Sequence, residues 1–148
     1  MKEDNMSDSQ TILIPADPSY VPNNCIIKKI QELYSANLEI HDQVQFIDCG
    51  ENLEQILCPY CQKDLAEWWG DAMNAAYSPE SGFSMLAVTL PCCGKKSFLN
   101  ELDYNWPVGF SRTSLTFDSD KDLPHTEKLL AALRLLSEIE WRVIKRRI

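Results

Sequence analysis

Apolar positions change rhythm several times along the chain, and each change predicts an element. Ile26, Ile27, Ile30, Leu33 and Tyr34 recur at three- and four-residue steps, predicting an amphipathic helix from Asn24 to about Ala36-Asn37. Alternation follows. Ile40, Val44 and Phe46 are expected on one face of a strand, with Asp42, Gln43 and Gln45 spent on turn and solvent. A second helix is expected from about Asp64, its N-cap, with Leu65, Trp68, Trp69, Ala72, Met73 and Ala76 as the apolar stripe. The tandem tryptophans fall on that stripe and read as core anchors.

Phe83 to Leu90 is apolar at most positions, which suits a central strand buried on both faces. Phe110 to Phe117 reads as a further strand. Leu123 to Leu136 gives the strongest helical pattern, with Leu129, Leu130, Leu133 and Leu136 on one side and Pro124 in the first turn. Ile139, Trp141 and Val143 alternate in a closing strand. Ahead of all this, residues 1–20 are polar apart from Ile12-Leu13-Ile14, and are expected to form a flexible N-terminal arm.

Leaving out the first helix, the order is strand, helix, strand, strand, helix, strand. That order predicts an α+β domain over residues 21–148: a ferredoxin-like split βαβ sandwich with an added N-terminal helix and an inserted zinc-ribbon-like pair of knuckles. The fold hosts too many activities to indicate one.

Cysteines supply the chemistry. Cys58-Pro59-Tyr60-Cys61 has two thiols three residues apart, so one turn can aim both at a single ion. Thirty residues later come Cys92 and Cys93, ahead of Gly94. Two such clusters at this separation are how a structural four-cysteine zinc site is assembled, which makes Cys58, Cys61, Cys92 and Cys93 the expected ligands of Zn2+.

Aligning Cys58–Gln62 over Leu90–Gly94 by their prolines matches Cys93 to Cys61. It leaves Leu90 at the place of Cys58, and Cys92 at that of Tyr60. Cys92 therefore ligates only if the backbone bends sharply there. Cys49 is the substitute ligand and His41 a weaker one, while Cys25 is expected to pack. Four thiolates close the coordination shell, giving a staple; an open position would need Cys92 to stay unbound. A redox pair at Cys58 and Cys61 is the other active reading, since Cys61 precedes a helix. The open-position version lacks a nearby candidate base, since His125 lies far along the chain. Asp118-Ser119-Asp120 begins like a calcium loop but lacks the rest of that pattern.

Charge narrows the partners. Among 148 residues, 22 acids face 14 bases, for a net charge of −8. Such a balance repels phosphate backbones and anionic headgroups and favours basic protein surfaces. Arg142, Lys145, Arg146 and Arg147 crowd the last seven residues, where they protect a strand edge or, less simply, bind anions with Lys95 and Lys96. No apolar run reaches the roughly 20 residues of a membrane helix, the first ten residues are too polar for a secretory leader, and six cysteines suit a reducing, cytoplasmic setting.

The segments Cys58–Trp69 and Leu90–Phe110 resemble a family of small, uncharacterised bacterial proteins. Its members join a Cys-Pro-x-Cys knuckle and a tryptophan-rich helix to a later Cys-Cys-Gly and a Tyr-x-Trp-Pro-x-Gly-Phe stretch. The likeness implies a zinc-ribbon-like element within a small α+β domain, and no activity. Tyr104, Trp106 and Phe110 of that stretch lie at even spacings, so an extended chain would put them on one face, either packed on the zinc loops or exposed as a recognition surface. The resulting expectation is a non-enzymatic, acidic, zinc-stabilised module that binds a basic protein, such as an immunity or antitoxin protein facing a basic toxin. A nucleic-acid-associated zinc ribbon using the basic C-terminal strand is the alternative.

Overall fold

A computed structural model describes residues 9–50, 53–117 and 126–147. The start of the third expected helix, His125 and the Asp118–Asp120 turn lie outside the described residues. The described residues form, in order, β1 (Ser9–Pro15), α1 (Asn24–Leu33), β2 (Asn37–Ile47), β3 (Ile56–Leu57), α2 (Ala66–Ala76), β4 (Ala87–Thr89), β5 (Lys96–Phe98), β6 (Asp103–Tyr104), β7 (Gly109–Phe117), α3 (Thr126–Ser137) and β8 (Trp141–Arg147), with a 3-10 turn at Leu99–Glu101. The chain is therefore mixed α+β. Its main sheet has the order β2-β7-β1-β8 with every neighbour antiparallel, while β3–β6 and β4–β5 form two small separate ladders.

The expected flexible arm is a central strand over part of its length. β1 pairs with β7 on one side and with β8 along its whole length on the other. Thr11, Ile12, Leu13 and Ile14 are all buried. Consecutive apolar residues are what a strand covered on both faces requires, because adjacent side chains point to opposite sides and here both sides are core. Leu13 packs with Ile30 of α1 and Leu129 and Leu133 of α3. Ile12 and Ile14 face the other layer, with Ile47, Cys49, Val108 and Ile144. The helices α1 and α3 thus cover one sheet face, and the segment 48–108 covers the opposite one.

Phe83–Leu90 is likewise corrected. Only Ala87–Thr89 is strand, it pairs with β5 alone, and Met85 is 69% exposed. Leu86, Val88 and Leu90 turn inward by simple alternation, and the residues between them face solvent. The helix α1 sits between β1 and β2, while α2 and β4 both belong to the 48–108 insert. The frame expected from strand 83–90 and the second helix is therefore not the one the main sheet uses.

Local chemistry explains the helix ends. Asn23 caps α1 by accepting the Ile26 N–H at 2.9 Å, and α1 stops at Leu33, earlier than its apolar pattern suggests. Asp64, expected as the N-cap of α2, accepts the Ala66 N–H at 2.8 Å but lies one position ahead of the cap, which is Leu65. In β2 the step from Ile40 to Gln45 is matched on β7 by the shorter step from Thr113 to Ser111. The surplus residues form a bulge that re-aims the strand, so Ile40 is exposed while Val44 is buried, and the two do not share a face.

Candidate metal centre

Two turns within the insert have the same hydrogen-bond frame. In the first, the Cys58 N–H donates to the Lys63 carbonyl at 2.9 Å and the Gln62 N–H to the Cys58 carbonyl at 2.9 Å. In the second, the Leu90 N–H donates to the Lys95 carbonyl at 2.9 Å and the Gly94 N–H to the Leu90 carbonyl at 2.8 Å. Gln62 and Gly94 hold the equivalent left-handed position, with φ of 63° and 72°. Glycine takes that conformation without strain. Gln62 does so while its side chain donates to the Cys58 carbonyl at 2.9 Å. The proline-based alignment of the sequence is thus a structural equivalence, with Leu90 at the Cys58 position and Cys93 at the Cys61 position.

The turns converge. Sγ atoms of Cys58, Cys61, Cys92 and Cys93 all lie within 4.8 Å of one another and can hold a metal ion. Cys58 and Cys93 are 3.8 Å apart and Cys61 and Cys92 3.3 Å, with all four cysteines as free thiols. Cys58 is buried, Cys92 intermediate, and Cys61 and Cys93 exposed. Residues 91–93 are turn rather than extended chain, and from position three the Cys92 sulfur reaches across to Cys61. Tyr60, at that position in the first, places its hydroxyl 3.5 Å from the Lys96 carbonyl, and Lys95 Nζ lies 4.8 Å from its ring centre.

Electrostatics differ between the sulfurs. Burial raises the Cys58 pKa, but the N–H groups of Cys61 and Tyr60, both 3.4 Å from its Sγ, favour the thiolate more strongly and bring it down to about 6. Cys92 is pushed up to about 12, by burial first and then by protons shared with the neighbouring sulfurs and by the Cys58 charge. Of the two, Cys58 is the sulfur on which the thiolate form is favoured. Because metal ligation requires deprotonated thiols, acidification must expel a bound ion.

The remaining candidates fall elsewhere. Cys49 lies in the core beside Ile12 and Ile47, its thiol 3.8 Å from the Trp106 carbonyl, and is not part of the cluster. Cys25, expected to pack, is exposed on α1. His41 stands 4.0 Å from Glu39 and is also outside the cluster. The even spacing of Tyr104, Trp106 and Phe110 does not make one face, because the extended chain is interrupted between β6 and β7. Asn105 there bonds across to the 54–55 segment, its side-chain Oδ1 accepting the Glu54 and Gln55 N–H groups at 3.0 and 2.9 Å. Phe110 is 1% exposed and lies against Phe46 and Phe83, whereas Trp106 is 41% exposed.

Tyr104 is a structural post. Its hydroxyl donates to the Leu99 carbonyl at 2.6 Å and accepts from Trp69 Nε1 at 3.1 Å, and burial raises its pKa. Tyr104→Phe leaves that carbonyl and the indole N–H without a partner, so we expect a loss of about 1–3 kcal/mol in denaturant unfolding. An unchanged midpoint would show the pair to be idle.

Basic residues of β8 are engaged within the molecule. Arg142 bonds the Asn100 carbonyl and pairs with Glu101 at 3.2 Å. Lys145 donates to Thr11 Oγ1 at 2.9 Å, and Arg146 pairs with Asp48 at 3.4 Å and donates to Gln10. Beyond Arg146, the Arg147 N–H bonds the Cys49 carbonyl, so the insert covers this end of the edge strand. No described helix is long and apolar enough to cross a membrane. Comparison with family models, with curated proteins and with solved structures yields no match.

Proposed function

We propose that the protein is a non-enzymatic, zinc-stapled module that binds a basic protein partner. One observation carries the metal half of this reading: four thiols from turns thirty residues apart meet at one point. Zinc–sulfur bonds of about 2.3 Å span a tetrahedron with edges of about 3.8 Å, close to the 3.8 Å between Cys58 and Cys93. Four thiolates leave no open position, and the ion then serves to tie the β3 and β4–β5 hairpins together. The strand order β2-β7-β1-β8, with α1 joining β1 to β2 and α3 joining β7 to β8, supports reading the frame as a ferredoxin-like split βαβ sandwich into which the metal-binding segment 48–108 is inserted. Six free thiols favour a reducing compartment such as the cytoplasm. The motif likeness to small bacterial proteins agrees with this reading.

The net charge of −8 supports the choice of partner, since an acidic surface steers basic proteins toward it and phosphate backbones away. Internal pairing of Arg142, Lys145 and Arg146 favours this over a nucleic-acid interface on β8. An immunity or antitoxin role against a basic toxin is the concrete version. Elemental analysis of tag-free protein is expected to give one zinc per chain. The protein used as bait is expected to recover a basic protein that rebinds when purified, more slowly as salt is added. Salt-sensitive binding to DNA or RNA, with no such protein recovered, would replace the partner half of the proposal. Absence of stoichiometric zinc would remove the other half.

A further inference from the structure

We infer that Cys92 is a replaceable ligand: Cys58, Cys61 and Cys93 hold the ion on their own, and the position that Cys92 fills accepts a small exogenous imidazole or thiolate donor. This rests on the zinc reading above and deepens it. The matched hydrogen-bond frames of turns 58–63 and 90–95 assign each residue a role. Positions one and four of the first turn, Cys58 and Cys61, both bring sulfur to the cluster. In the second turn only position four, Cys93, does so, because position one is Leu90. Both position-one residues, Cys58 and Leu90, are 0% exposed, so leucine has taken over the core role of that place and abandoned its ligand role.

Cys92 fills the shell from position three. In the first turn that position is Tyr60, 53% exposed and reaching along the outside of the opposite turn. Cys92 stands nearer to Cys61, at 3.3 Å, than an ideal tetrahedral edge of about 3.8 Å. Nor can the second turn offer the anchorage that the first gives Cys58. There, two backbone N–H groups at 3.4 Å hold the sulfur in place. A cysteine at position 90 would receive the corresponding N–H groups of Cys92 and Cys93, and Leu90 cannot. Among the described residues no N–H donates to Cys92 Sγ.

Soft nitrogen and sulfur donors are the chemical class that would take the place, since zinc sites are built from imidazole and thiolate. Removing Cys92 leaves three thiolates and a gap between the two turns, flanked by the exposed Cys61 and Cys93, which a molecule the size of imidazole can reach.

The test is cobalt substitution, because Co2+ reports the number of bound thiolates by its charge-transfer and ligand-field absorption. Wild type, Cys92→Ala, Cys58→Ala and the double variant Leu90→Cys/Cys92→Ala are each titrated with Co2+. We expect one equivalent in the wild type with a four-thiolate spectrum. Cys92→Ala is expected to keep one equivalent with a three-thiolate spectrum that shifts saturably on adding imidazole or 2-mercaptoethanol. Cys58→Ala should lose stoichiometric binding, and the double variant should regain the four-thiolate spectrum and ignore imidazole. Circular dichroism of each variant, with and without metal, identifies any that is unfolded. Loss of cobalt by a folded Cys92→Ala, or a spectrum indifferent to both donors, overturns the inference and leaves the zinc reading standing. Failure of the wild type to take up cobalt overturns both. Should Cys92→Ala prove unfolded, the inference is overturned as well, since the three remaining thiolates then do not hold the site.

Discussion

A chain lacking residues 1–16 does not fold. Among the described residues β1 is the one strand of the main sheet bonded to β8, and it separates β8 from β7 by pairing with both. Its deletion leaves the inner edges of β7 and β8 unpaired and strips Leu13 from beneath α1 and α3, and Ile12 and Ile14 from the opposite layer. Burying each such side chain is worth about 1.5–3 kcal/mol, so three of them together rival the whole stability of an ordinary domain, before any ladder hydrogen bond is counted. Far-UV circular dichroism and a cooperative thermal transition are the measurements. A truncated protein that keeps both would show that the N-terminal segment is the dispensable arm its polar start suggests. Within the intact chain, Leu13→Ala is expected to cost about 2–5 kcal/mol by the cavity it leaves.

Cys58→Ser, or stripping metal with a chelator, is the second large effect. Cys58 is the buried cysteine of the cluster, and it packs in the same core as Leu65, Met73, Leu90, Leu99 and Phe110. β3, β4, β5 and β6 are two or three residues each, too short to hold a hairpin without help. Structural zinc contributes about 10–16 kcal/mol in isolated zinc-binding peptides, and a preformed frame reduces the dependence. We expect a loss of at least about 5 kcal/mol, and a fall in Tm of about 10–20 °C. The near-UV signal of Trp69, held by Tyr104 and Phe46, should collapse. The sign with pH follows from the ligands: protonation competes with the metal, so the stabilisation is present at neutral pH and is lost as pH falls. Equal melting temperatures with and without chelator would mean that the thiols stabilise nothing beyond their own packing.

Some of this was open to reading from local pattern. The period of Ile26–Tyr34 and Leu129–Leu136 locates α1 and α3 because a helix stripe repeats within a few residues and needs no knowledge of what it faces. The C-x2-C turn at Cys58 and the proline-matched Leu90–Gly94 were legible for the same reason, since a turn's hydrogen bonds close within six residues. Where partners are distant, pattern misled. Ile12–Ile14 is too short to announce itself as a strand, and its importance comes from neighbours more than a hundred residues away. Phe83–Leu90 has the composition of a buried strand, yet the main sheet is already complete without it. Even spacing placed Tyr104, Trp106 and Phe110 on one face, and the break in the extended chain between β6 and β7 cancelled that.

By itself, then, the sequence determined the helices α1 and α3, the two turns and the identity of the thiols they carry, because all of these are set by interactions between residues close along the chain. Only the tertiary structure decided that Cys92 completes the cluster while Cys49 does not, that the first strand lies inside the sheet, and that Arg142, Lys145 and Arg146 are paired within the molecule. Each of those outcomes depends on which distant segments become neighbours, and that is fixed by burying several apolar faces at once rather than by any one stretch of chain.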